Sequence, residues 1–360
     1  MWQLIKCHRA REFARCPGVK TSFMRTIFTL LLLIPFAAAA AQTNDKSARL
    51  DTLRAEGYEA LYNLDYEGAR KRFREMIQIA PDHPSGPQCF AASLWVEQLN
   101  QSWELKATLY STKAYTEGKQ KADPARTAEF RKWIRQTKTL AEAKLRQNAR
   151  DIEALYFLGA AEGLDAAYAA AVERKFRSAL KSGSNAVDRH KDVLKLAPDF
   201  RDAELTIGLQ NYIVGSLPLP LKMLAATMGV RGSKKRGLIT LERVSIEGRW
   251  ARDLARVLLV DLYKREKRWQ DAVATARMLS ERYPRNYLFK LQMADALASQ
   301  IATMRKAKDA TPTTGQAEEK ELASIFESLL RDKTLEASTA ELVQFRYREA
   351  RGALDQSRKR

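Results

Sequence analysis

The chain has 360 residues, with 62 Lys and Arg against 43 Asp and Glu, a formal charge of +19. Apolar residues at 45% and charged residues at 29% are globular values, with material for a sizeable core, and exclude a mostly disordered chain. Sixteen Gly and 11 Pro exclude collagen-like or proline-rich character, three Cys exclude a disulfide scaffold, and three His leave little room for a His-built metal site.

The first 41 residues read as a targeting segment. Met24-Arg25-Thr26 is a positive end, Ile27 to Phe36 a short apolar run, and Ala37 to Ala41 a small-residue tail. These are the three parts of a secretory signal peptide, with cleavage expected between Ala41 and Gln42 and Met24 as an alternative start. The run from Ile27 to Ala41 is shorter than the roughly 20 residues a bilayer needs. The expected location is exported, periplasmic or secreted, with no spanning helix after cleavage. Losing 1–41 removes six basic residues and one acidic one, leaving +14, and leaves Cys89 as the lone thiol beside Phe90 and Trp95, where burial is expected.

From residue 42 on, apolar residues recur every three or four positions, the spacing of an α-helical face, and strand-like alternation is nearly absent. Prolines 81, 84, 124, 198 and 284 mark helix ends. Leu50 to His83 gives one helix through Leu53, Gly57 and Ala60, a turn at Asn63–Tyr66, a second helix with Ala69, Phe73 and Met76, then Pro81. Asp253 to Asn286 repeats that layout, with the turn at Arg268–Ala272, Ala276 and Leu279 on the second helix, then Pro284. Weaker units span 152–200, with an Ala-rich insert at 166–180, and 201–248, where a second helix at 237–244 follows a long loop. Helices at 85–100 and 125–148 flank a loop at 103–122. A polar loop at 306–316 precedes two helices, 317–331 and 335–355, in a cap covering 287–356.

A 34-residue hairpin with small residues at the crossing and a terminal Pro resembles a tetratricopeptide repeat. A longer bacterial exported repeat type is also similar, through Pro198-Asp199-Phe200-Arg201-Asp202-Ala203, the Leu-Pro run 217–221 and Gly237-Leu238. More distantly the chain resembles the eukaryotic repeat proteins of the outer mitochondrial membrane and inclusion clearance. The resemblance implies an all-α, right-handed α-solenoid of helical hairpins with irregular inserts, forming one domain over 42–360. It implies protein or peptide binding and brings no reaction with it.

No catalytic constellation is legible. His83 sits at a helix end between Asp82 and Pro84, and His190 takes a position the repeat fills with a bulky core residue. No HExxH, CxxC or calcium loop occurs, and 229–235 lacks the Gly-Lys-Ser/Thr of a phosphate loop. The expected function is a non-enzymatic scaffold, with no cofactor or metal, that binds a protein or peptide on its concave face, an acidic segment being the candidate partner. First-helix positions that would line that face are Arg54, Tyr58, Tyr62, Tyr156, Leu209, Tyr212, Asp261, Lys264 and Arg265. Tyr and Arg suit such a face because they combine contact area with hydrogen bonding. The alternative is a basic peripheral envelope protein that meets anionic lipid or polymer through the apolar 213–236 segment and Lys234, Lys235 and Arg236. That segment either plugs the array or docks. An export signal without a nucleic-acid motif argues against nucleic acid.

Overall fold

The computed structural model describes residues 46–101, 123–227, 229–307, 310–311 and 313–358. The signal-peptide reading and the 103–122 loop lie outside the described residues. The chain divides into a smaller unit, Met1–Arg49, and a larger one, Leu50–Arg360. Of the smaller unit only the helical residues 46–49 are described.

The larger unit is all-α over its described residues. Its helices are α1 (50–62), α2 (Tyr66–Ile79), α3 (Ser85–Gln101), α4 (Pro124–Gln147), α5 (Ile152–Ala171) and α6 (Phe176–Leu196). A 3-10 turn, Arg201–Ala203, leads to α7 (Glu204–Ser216), α8 (Leu219–Thr227), α9 (Lys234–Glu247) and α10 (Arg252–Arg265). Then come α11 (Trp269–Arg282), α12 (Tyr287–Met304), α13 (Gln316–Leu330) and α14 (Ala337–Arg358).

From α2 on, each helix packs on the next, with one exception: α7 packs on α9, and α8 stands aside. Glycine makes that bypass tight. A Cβ on Gly237 would lie 2.6 Å from the Tyr212 backbone nitrogen and 2.7 Å from the Gly208 carbonyl, so the backbones of α7 and α9 touch where side chains would otherwise intervene.

Helix ends recur with one geometry. Ala80, Asn148, Ala197 and Tyr283, which follow α2, α4, α6 and α11, each donate an N–H to the carbonyl four residues back, at 2.8–2.9 Å. Each then accepts, at 3.0 Å, from the N–H three residues on, of His83, Asp151, Phe200 and Asn286. The two best-matched hairpins share their inner turn as well. Leu64 and Lys267 are left-handed, with φ of 66° and 59°, and the next residue closes the turn: Asp65 N–H to Ala60 O and Arg268 N–H to Tyr263 O, both 2.9 Å. A non-glycine residue there is strained by about 1 kcal/mol, which the hydrogen bond offsets.

Two expectations change. The Ala-rich stretch is no insert: α5 runs unbroken to Ala171 and α6 starts at Phe176, joined through left-handed Arg174. Alanine is the strongest helix former, so the run extends the helix it follows. The long apolar loop likewise contains a helix, α8, and the following helix starts at Lys234 rather than Gly237. Ser233 caps it, its hydroxyl accepting from the Arg236 N–H.

Candidate functional site

α1 has two working faces. Leu53 and Leu61 are fully enclosed with Ala69, Phe73, Met76, Cys89 and Phe90 of α2 and α3. Arg54, Tyr58 and Tyr62, at four-residue spacing, form the other face. Arg54 is 4% exposed. Its guanidinium lies 4.0 Å from the centre of the Trp250 ring and 5.3 Å from that of Phe157, and its Nη1 donates to Asp51 at 2.7 Å. Tyr58 is half-buried, stacked on Tyr62 and edge-on to Phe73. Tyr62 is buried against Tyr283, ring centres 5.1 Å apart. Burial raises the pKa of both tyrosines well above the ordinary value.

The elements that receive this face come from far along the chain. Arg249 pairs with Asp51 at 2.5 Å, and the Asn286 Nδ2 donates to the Tyr62 carbonyl at 2.7 Å. Tyr156 lies against Phe157, His190, Phe200 and Trp250. The Trp250 turn is itself fixed by Asp202, whose buried Oδ1 accepts from the N–H groups of Arg249, Trp250 and Ala251 at 2.9, 2.8 and 2.7 Å. Three aligned donors on one carboxylate oxygen are a strong charge-assisted anchor.

Nearby titratable groups are structural. His190 is 2% exposed, and its Nε2–H donates to the Tyr156 carbonyl at 3.1 Å. Burial pushes its pKa down to about 4. A Cβ on Gly159 would meet the His190 ring at 2.6 Å, so this glycine makes room for it. Burial raises the Cys89 thiol, against the opposing pull of the Arg54 guanidinium and a hydrogen bond with Tyr58. His83 joins Ser85 Oγ at 2.8 Å to Glu153 Oε2 at 2.9 Å. The His83 hydrogen bond holds the Glu153 carboxyl below its usual range. That order of groups matches a hydrolytic triad on paper. Ser85 has no exposed surface, however, so its hydroxyl cannot meet a substrate, and the three act as a clamp between the start of α3 and α5.

A second group lies on α7 and α10. Tyr212 is fully buried, donates to Glu266 at 2.7 Å, and burial pushes its pKa up to about 12. Lys234 donates to the same Glu266 oxygen at 2.8 Å. Burial raises the Glu266 pKa, but Lys234 and Tyr212 outweigh it and hold the carboxyl low. Arg265, half-buried, has its guanidinium carbon 5.7 Å from the Tyr212 ring centre, and its Nη1 is buried with no hydrogen-bond acceptor. Lys264 donates to Gln292 at 2.5 Å and pairs with Asp261 at 3.2 Å. Burial raises the Asp261 carboxyl, opposed by Lys264.

The expected concave residues therefore fall into two sets. Arg54, Tyr58, Tyr62 and Tyr156 gather around α1, with Arg54, Tyr62 and Tyr156 enclosed. Tyr212 and Arg265 touch, Lys264 is engaged by its neighbours, and Leu209 is half-buried one turn before Tyr212. Of the basic cluster, Lys234 is paired with Glu266, whereas Lys235 and Arg236 are exposed. Asp202, Trp250, Tyr283 and Asn286 were not expected. Only Asn286 and Asp202 left a signal, as polar residues at helix starts; nothing local marks Trp250.

Among the described residues no three His, Cys, Asp or Glu are placed to hold a metal ion, and no helix is long and apolar enough to cross a membrane. No protein-family model and no curated protein matches the chain.

Proposed function

We propose that the chain is an exported, non-catalytic scaffold of tetratricopeptide-like hairpins, stacked as a right-handed α-solenoid, that binds an acidic segment of a protein or peptide. Arg265 carries the partner reading. Its Nη1 is buried without an acceptor while the side chain stays half-buried at an inner-helix position, on the Tyr212 ring and next to Lys264. An outward swing of this half-buried side chain brings the nitrogen to an arriving carboxylate, which supplies the missing acceptor, and a hydrogen bond to a charged group stabilises by about 1.5–3 kcal/mol. The recurring helix ends and the shared left-handed turn favour the repeat reading, and the Met24–Ala41 pattern favours export. Arg54, Tyr62 and Tyr156, being enclosed, serve to hold α1; Lys264 is held by Gln292 and Asp261, and the half-buried Tyr58, Leu209 and Arg265 remain for a partner.

The test is anisotropy titration of the purified protein against labelled acidic peptides, poly-glutamate first. Arg265→Ala should weaken binding at least tenfold, about 1.4 kcal/mol, with helicity unchanged. Undiminished binding, or no acidic peptide bound, overturns this reading.

A further inference from the structure

α8 departs from the usual design of a surface helix. Such a helix turns a polar stripe to solvent. On α8 the outward stripe is Leu219, Lys222, Met223 and Ala226, at i, i+3, i+4 and i+7, all exposed. Leu219 is 70% and Met223 63% exposed, and Leu221 beside them is 46% exposed, whereas Ala225 on the inner side is buried. The helix is built to stop where it does. Gly229 has φ 76°, its N–H reaches the Ala226 carbonyl at 3.0 Å, and the Val230 N–H reaches that of Ala225 at 2.9 Å. This is a glycine-closed helix end, so the exposed leucine and methionine belong to a formed element.

The charge around it is one-sided. From Leu205 to Leu241 there is no Asp or Glu, and five residues are basic: Lys222, Arg231, Lys234, Lys235 and Arg236. Lys234 is neutralised by Glu266. Among the described residues no acidic side chain pairs with Lys222, Arg231, Lys235 or Arg236. The basic turn is also fixed in place: a Cβ on Gly232 would lie 2.6 Å from the Gly215 nitrogen, and one on Gly215 2.5 Å from the Lys234 nitrogen. Ile239, one turn beyond Lys235, is a further exposed apolar residue at 46%.

We infer that α8 and the basic turn after it form a docking surface for an anionic lipid bilayer, with Leu219 and Met223 entering the headgroup region and Lys222, Arg231, Lys235 and Arg236 meeting lipid phosphates. Charge complementarity selects this occupant. Stable peripheral attachment takes two signals, an apolar insertion and a polybasic patch, and here they follow one another in the chain between Leu219 and Arg236. Each basic residue at an anionic surface strengthens binding by on the order of fivefold, and the effect fades with salt.

The experiment is cosedimentation of the full chain with vesicles of phosphatidylcholine mixed with phosphatidylglycerol, and of phosphatidylcholine alone, at low and high salt. Residues 27–36 are themselves apolar, so the result rests on variants confined to the patch. Wild type should bind the mixed vesicles, lose affinity at high salt, and bind phosphatidylcholine weakly. Leu219→Ser with Met223→Ser, and separately Arg231→Glu with Lys235→Glu and Arg236→Glu, should each weaken binding by about tenfold or more, with unchanged helicity and thermal midpoint; the charge variant should also flatten the salt dependence. Equal binding by either variant, equal binding to both vesicle types, or self-association of wild type that the serine pair dissolves would overturn the assignment; the last would make the patch a contact between two copies.

Discussion

On α1, the polar-tipped Arg54 and Tyr62 are sealed in by elements that include partners 198 and 224 residues away in sequence; on α8, Leu219 and Met223 stand in solvent. The two helices reverse the usual allocation of side chains in opposite directions. Arg54 tolerates burial because Asp51 balances its charge and the Trp250 ring face receives the guanidinium, an attraction worth up to about 2 kcal/mol when desolvated. α8 tolerates exposure because Ala225 and the Gly229 closure fix it without the apolar stripe. What packs over a face, more than its residue types, decides whether it is core.

If the α1 side depends on distant anchors, its largest weakness is Asp202. Asp202→Ala strips the acceptor from three successive N–H groups and should destabilise by about 4 kcal/mol, read by denaturant unfolding, whereas Asp202→Asn keeps an acceptor oxygen and should lose less than half of that. His190 should make the same region acid-sensitive. Its folded pKa of about 4 lies below the ordinary 6.5, so between these values the unfolded chain holds a proton that the folded chain does not. Stability should therefore be full above pH 6.5 and fall by about 3 kcal/mol as pH drops towards 4; His190→Gln should flatten that part of the pH profile.

The α7–α9 contact that carries α8 should respond less. Gly237→Ala pushes a methyl into the Tyr212 and Gly208 backbones and should cost about 2 kcal/mol, lowering the thermal midpoint. The smallest effect belongs to α8 itself. Leu219→Ser with Met223→Ser should leave unfolding free energy within about 0.5 kcal/mol of wild type; a larger loss would mean the stripe is packed.

The hairpins at 50–83 and 253–286 were readable because their information is local: apolar spacing, small residues at the crossing, and a proline after the second helix. The left-handed Leu64 and Lys267 were not, since neither residue type advertises a positive φ. The Ala-rich stretch 166–180 reads as an insert because a run of small residues dilutes the apolar stripe while favouring helix. Pro218 and Pro220 suggested loop, yet Pro is tolerated in a helix's first turn, where no internal hydrogen bond is lost. The interior positions of Arg54, Tyr62 and Tyr156 escape local reading altogether, because Trp250, Tyr283 and Asn286, which cover them, lie far along the chain. Of the candidate site, the sequence pointed to Arg265 and Lys264 through type and helix position; the unsatisfied Nη1 is a property of packing.

Residues from the far part of the chain clamp α1, and a double-mutant cycle between Arg54→Ala and Trp250→Ala is the sharpest test of that clamp. The contact at 4.0 Å should give a coupling free energy of about 1–2 kcal/mol in denaturant unfolding. Additivity of the two substitutions within about 0.3 kcal/mol would contradict it.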